Sequence, residues 1–201
     1  MKLWYSPTSP YVRKVLVTAI ELGIRDQIEL VRTDVWDPAT TVGEINPLGR
    51  IPALETDDGE ALYDSPVICE FLDARYGGHR LLPIDGDDRW RVLRLQALAD
   101  GLLDAAFLGA LELRRRPEAL RWQEFIDRQR TVIGRALDRL EHEVDGRSEQ
   151  LDLGLLAAGC ALGYADLRYP DIRWRDSRPR LAAWYARIAE RDSFRETAPP
   201  Q

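Results

Sequence analysis

The chain has 201 residues, 45% hydrophobic and 31% charged, and a formal net charge of -6. This mixture describes a folded protein long enough for two modest domains rather than a disordered one. The acidic balance disfavours nucleic acid as a partner, because a duplex binder needs a basic face to displace counterions. The first amphipathic segment carries Arg13, Lys14 and Glu21, and no apolar run reaches membrane-spanning length. A cytoplasmic protein with no signal peptide and no membrane contact is therefore expected.

In chain order, KLWY (2–5) reads as a strand, and Val12, Val15, Leu16, Ala19 and Ile20 then recur at helical spacing until Gly23 supplies a stop. Two Ser-Pro pairs compete to start that helix in YSPTSPYVRK. A start at Pro7 would leave Pro10 inside the helix, where it disrupts the backbone, whereas a start at Pro10 puts proline at the tolerated first position. Ser9 is then the N-cap, its hydroxyl accepting from a free backbone N–H. A helix N-terminus is also a place to hold an anion, and a thiolate is one. IELV (28–31) reads as a second strand, followed by a polar stretch with Trp36 and Pro38. PALE and EALY flank the turn TDDG and signal a hairpin. Ser65-Pro66 repeats the capping arrangement and opens a helix expected to present Val67, Ile68, Phe71 and Leu72 on one face.

Gly, Pro and Asp mark a linker at 79–87, after which no strand signal competes with amphipathic segments at about 88–115, 118–144, 152–168 and 179–191. In ELRRRPEALRWQEFIDRQR the arginines alternate with Glu112, Glu118, Glu124 and Asp127, the pattern of a solvated helix face rather than a binding patch. Cys69 and Cys160 lie far apart in apolar periodic segments, with no CxxC and only His79 and His142 as imidazoles. Both thiols are expected to be buried and reduced, with no metal site.

SPTSPYVRKV, NPLGRIPALE and LYDSPVICEFL, in this order and spacing, resemble the N-terminal domain of cytosolic glutathione transferases. The ending RPRLAAWYARIAERDSFRETAPP is similar to the C-terminal domain of a bacterial, serine-type subgroup of that family. The resemblance implies an α/β thioredoxin-like domain of βαβαββα order at 1–78, the linker at 79–87, and an all-α domain at 88–201. It also implies glutathione as co-substrate, no metal, a homodimer, and conjugation of the thiol to a small hydrophobic electrophile. A glutathione-dependent peroxidase or isomerase, and a non-catalytic binding or regulatory protein of the same fold, are the alternatives. The intact Ser9, Asp64 and Ser65 argue against the non-catalytic one.

The resemblance assigns roles residue by residue. Ser9 donates to the glutathione sulfur, with Ser6 as second choice and Tyr5 left to strand packing. Asp64 meets the γ-glutamyl ammonium, and Ser65 with its helix N–H groups meets the γ-glutamyl carboxylate. Ile51, through its main chain, and cis-Pro52 pair with the cysteinyl part, and Arg50 lies near the glycyl carboxylate. The helical domain is expected to supply the electrophile pocket; Leu103 and Phe107, one turn apart, are the candidates to line it, with ordinary core packing as the alternative for each, and Asp100 is the candidate to approach the γ-glutamyl group across the dimer. Where the family carries Ser/Thr-x-x-Asp, this chain reads Asp152-Leu-Gly-Leu155, so Asp152 is expected to cap without a reciprocal acid.

Overall fold

The computed structural model describes residues 1–144 and 150–200; residues 145–149 and 201, which fall in the expected second domain, lie outside the described residues. The chain forms two compact units, Met1–Arg89 joined by the segment from Arg191 onward, and Trp90–Glu190.

In the first unit, β1 (Lys2–Tyr5), β2 (Glu29–Arg32), β3 (Ala53–Glu55) and β4 (Ala61–Leu62) form one sheet of order β2-β1-β3-β4. β1 pairs parallel with β2 and antiparallel with β3, with Trp4 opposite Ala53, and β3 pairs antiparallel with β4, with Leu54 opposite Leu62. The expected hairpin closes through Thr56 N–H to Glu60 C=O at 2.9 Å, with Gly59 at the left-handed φ of +82° that this turn needs.

α1 (Pro10–Glu21) starts at Pro10 with Ser9 as its cap. It ends where Ile24 N–H reaches back to Ala19 C=O at 2.9 Å across Gly23, the six-to-one closure of a Schellman motif. α2 (Val42–Ile45) is a single turn and α3 (Ser65–Leu72) packs against α1. Ser65, Ile68, Cys69 and Leu72 form the buried stripe of α3, while Val67, expected on that face, is 49% exposed. At 100° per residue Val67 points away from a stripe set by the 65, 68, 69, 72 spacing.

α8 (Asp192–Glu196) also packs against α1. The sequence reading places this segment in the helical domain; the structure groups it with the first unit because two α1 side chains hold it. Arg13 donates to Phe194 C=O at 3.0 Å and to Thr197 Oγ1 at 3.3 Å, and its guanidinium lies 5.5 Å from the Phe194 ring centroid. Glu21 accepts from Arg191 at 2.7 and 2.9 Å and from Ser193 Oγ at 2.5 Å. Burial alone would raise the Glu21 pKa, but the hydrogen bonds from Arg191 and Ser193 and the nearby cationic charges outweigh it and hold the carboxyl below its usual value.

The second unit contains most of α4 (Gly86–Arg115), and all of α5 (Gln123–Glu143), α6 (Leu153–Arg168) and α7 (Pro179–Ala189). α6 is buried on all sides from Leu153 to Ala165, and Asp152 Oδ1 caps it by accepting from Leu155 N–H at 2.7 Å. A Cβ on Gly154 would stand 2.8 Å from Leu95 Cβ and from Val92 C=O, so glycine sets how closely α6 approaches α4. The arginine-rich stretch is not one helix face: it spans the end of α4, a 3₁₀ turn at Glu118–Leu120 and the start of α5, because Pro117 cannot continue a helix. No helix among the described residues is long and apolar enough to cross a membrane.

Candidate functional site

The sheet topology brings six of the expected site residues to one edge. β1 and β4 end there and β3 begins there, since β3 runs antiparallel to both. The turn carrying Ser9 follows β1, Arg50, Ile51 and Pro52 precede β3, and Asp64 and Ser65 follow β4. In α/β sheets this edge, with helix N-termini opening from it, is where ligands bind.

Ser9 is half-buried in extended conformation, and its Oγ accepts from Val12 N–H at 3.3 Å. A hydroxyl that accepts keeps its own proton to donate. Cap and donor are thus compatible roles for one oxygen. Ser6 Oγ lies 3.5 Å from Thr8 Oγ1 and shares its hydrogen bonding with that neighbour, whereas Tyr5 is a β1 residue whose carbonyl accepts from Thr33 N–H at 2.9 Å.

Ser65 Oγ is buried, the residue being 1% exposed, and has no hydrogen-bond partner among the described residues. A buried hydroxyl left unpaired costs about 1 to 3 kcal/mol, so Ser65 holds an unused hydrogen-bonding group at the N-terminus of α3. Asp64, not Ser65 as the repeated Ser-Pro arrangement suggests, occupies the N-cap position of α3; Ser65 is the first helical residue, and the exposed Asp64 carboxylate makes no capping hydrogen bond. In the turn leading into β3, Arg50 is exposed, and its guanidinium forms no ion pair among the described residues. One cation, one anion, a buried hydroxyl and two helix N-termini therefore share the sheet edge.

The Ile51–Pro52 peptide bond is cis, as the resemblance implies, and the Tyr63–Asp64 bond is also cis, which no sequence feature announces. Sequence reasoning also missed Asn46, 1% exposed, whose side chain holds the 46–50 turn in front of Pro52. The signal was present in Asn-Pro-Leu-Gly, a combination that favours side-chain-to-backbone turns.

The remaining expected residues lie on α4 in the second unit: Asp100 is half-buried and Phe107 37% exposed, whereas Leu103, expected at the pocket, is fully buried and packs in the core, out of reach of a ligand. Cys69 and Cys160 are buried and form no disulfide among the described residues, and Thr18 Oγ1 lies 3.3 Å from Cys69 Sγ. Among the described residues no group of three His, Cys, Asp or Glu side chains is placed to hold a metal ion.

The family model described as Glutathione S-transferase, N-terminal domain matches residues 8–75, and Glutathione S-transferase, C-terminal domain matches residues 123–187. The uncharacterized GST-like protein YibF of Escherichia coli (strain K12) is 36% identical over 204 aligned residues, covering 100% of each chain. A glutathione transferase family member from Pseudomonas fluorescens Pf-5, solved with bound glutathione, superposes with a TM-score of 0.95 at 43% identity, covering 100% of this chain and 99% of that one. The same bacterium's protein with bound S-(propanoic acid)-glutathione gives a TM-score of 0.89 at 43% identity, covering 100% of both chains.

Proposed function

This chain belongs to the glutathione S-transferase family, and from that premise we propose that it conjugates the glutathione thiolate to a hydrophobic electrophile, with Ser9 as the catalytic hydroxyl. The observation that carries the reading is the unpartnered, buried Ser65 Oγ beside the Asp64 carboxylate at the sheet edge that also holds Ser9. Glutathione fits this set. Its γ-glutamyl carboxylate takes the Ser65 hydroxyl and the free N–H groups of the α3 N-terminus, and its ammonium takes Asp64. Its cysteinyl segment pairs with the Ile51 main chain before cis-Pro52, and its glycyl carboxylate faces Arg50.

In this binding mode the thiol lies at the N-terminus of α1. A free thiol with a pKa of about 8.5 is mostly protonated at neutral pH, so the site must favour the thiolate. The Ser9 hydroxyl donates to the sulfur while its oxygen accepts from Val12 N–H, and the partial positive charge of the helix end acts in the same direction. The thiolate then attacks an electrophilic carbon, forming the C–S bond. The thiol proton leaves to solvent, and the electrophile's electron pair moves to its leaving group or acceptor atom. Binding of an S-substituted glutathione by the Pseudomonas fluorescens relative favours carbon attack over peroxide reduction as the leading reaction.

The same proposal includes a cytoplasmic two-fold homodimer, with Phe107 at the electrophile pocket and Asp100 reaching the partner's γ-glutamyl subsite. The test is a turnover panel of aryl halides, enals, hydroperoxides and cis-enones with glutathione, run on the wild type and Ser9→Ala. Thioether formation with aryl halides or enals, lost in Ser9→Ala, is the expected result. Turnover confined to hydroperoxides or cis-enones would replace conjugation with the peroxidase or isomerase reading, and failure to bind glutathione would replace it with the non-catalytic one.

A further inference from the structure

We infer that Asn46 is the positioning residue for peptide recognition: it locks the 46–50 turn so that the Ile51 main chain and Arg50 meet glutathione in fixed register. The inference rests on the glutathione-binding reading above and adds a residue that has no contact role in it.

Asn46 is 1% exposed and uses all of its polar groups locally. Its backbone N–H donates to Val42 C=O at 2.8 Å, closing α2, and its C=O accepts from Gly49 N–H at 2.8 Å. Its Oδ1 accepts from Leu48 N–H at 3.0 Å and its Nδ2 donates to Arg50 C=O at 2.8 Å. The chain turns within these bonds because Gly49 adopts a left-handed φ of +62°. The bond to Arg50 C=O has the furthest consequence. It ties that carbonyl back into the turn, and the next peptide unit is Ile51–Pro52, immediately ahead of β3. Neither the N–H nor the C=O of Ile51 has a backbone partner among the described residues. Asn46 thereby fixes an unpaired main-chain edge that a peptide ligand can extend, in the manner of an added strand. Preorganising that edge spares the ligand the cost of ordering the turn. Ser9 lies in a different turn, after β1, so the chemistry of the sulfur is independent of Asn46.

The experiment uses the full chain with Asn46→Asp, Asn46→Ala and Gly49→Ala, each matched on folded fraction by circular dichroism. Asn46→Asp keeps the acceptor for Leu48 N–H but turns an oxygen toward Arg50 C=O. Gly49→Ala strains the same turn at an exposed position, where a Cβ meets nothing within 4 Å, and so leaves the core intact. The expected result is a rise of about tenfold in Kd and KM for glutathione in both Asn46 variants, from loss of one to two hydrogen bonds, and a smaller rise in Gly49→Ala. The kcat at saturating glutathione and the pKa of the bound thiol stay at the wild-type values. Unchanged Kd in Asn46→Asp and Gly49→Ala, with only a lower thermal midpoint, would overturn the inference and reduce Asn46 to a fold residue; so would a fall in kcat with KM unchanged. Should neither Asn46 variant fold, Gly49→Ala alone decides by the same readouts. Wild-type protein that does not bind glutathione would overturn the functional reading along with this one, whereas tight binding by wild type and variants alike removes only the role of Asn46.

Discussion

Ser65→Ala should move stability and ligand affinity in opposite directions. In the unliganded protein the Ser65 hydroxyl is buried with no partner, so its removal relieves up to about 1 to 3 kcal/mol of desolvation cost. A small gain or no change in unfolding free energy follows, since the methyl remaining on alanine still fills the stripe of α3. In the proposed glutathione complex the same hydroxyl donates to a carboxylate, and such a bond contributes about 1.5 to 3 kcal/mol. Its loss weakens glutathione by roughly tenfold to a hundredfold, at about 1.4 kcal/mol per factor of ten. The assay is urea unfolding with and without glutathione. Ligand at a hundred times Kd stabilises by about 2.7 kcal/mol, so at that fixed concentration the wild type gains clearly while the variant gains about 1.4 kcal/mol or less. A variant that loses about 1 kcal/mol without ligand, and binds glutathione as tightly as wild type, would show that the Ser65 hydroxyl serves the fold rather than the ligand and refute the reasoning.

Ser9→Ala should cost about 0.5 to 1 kcal/mol of stability, the low end for an N-cap, because the cap bond is long at 3.3 Å. By analogy with loss of an oxyanion donor, its turnover per folded molecule should fall by about a hundredfold to a thousandfold; calorimetry and steady-state kinetics measure the two losses separately. Glu21→Gln should lower the thermal midpoint at neutral pH. The folded Glu21 carboxyl titrates below its unfolded value, so its contribution is complete above the unfolded pKa and is lost as pH falls through the folded one; the gap to wild type should close below about pH 4.5. A gap independent of pH would contradict this. Gly109→Ala places a Cβ against the Tyr169 hydroxyl. Tyr169 cannot give way, since it donates to Ala106 C=O at 3.1 Å and is buried under Arg130. The overpacking should cost about 1 to 3 kcal/mol and lower the thermal midpoint by on the order of 5 °C, which a melting scan reads directly.

The sequence carried the sheet edge in its punctuation. Proline spacing alone placed the α1 cap at Ser9, and TDDG placed the hairpin that returns Asp64 and Ser65 to the end of β1. Periodicity was less reliable on the short helix α3, where eight residues cannot distinguish Val67 from its buried neighbours without knowing where the core lies. The clamp of α1 by Arg13 and Glu21 on Phe194, Thr197, Arg191 and Ser193 joins residues more than 160 positions apart, and no local pattern encodes such a pairing. Asn46 falls between these cases: the turn was written in Asn-Pro-Leu-Gly, but its bond to Arg50 C=O appears only once the chain is folded.

The central claim is that this site holds glutathione as a thiolate through Ser9. Titration of the bound thiol by ultraviolet difference absorbance, with wild type and Ser9→Ala at saturating glutathione, tests it most directly. The account predicts a thiol pKa below the free value of about 8.5 in the wild type, returning toward that value in Ser9→Ala. A bound thiol that titrates at the free value in the wild type, or at the same depressed value in both proteins, would contradict it.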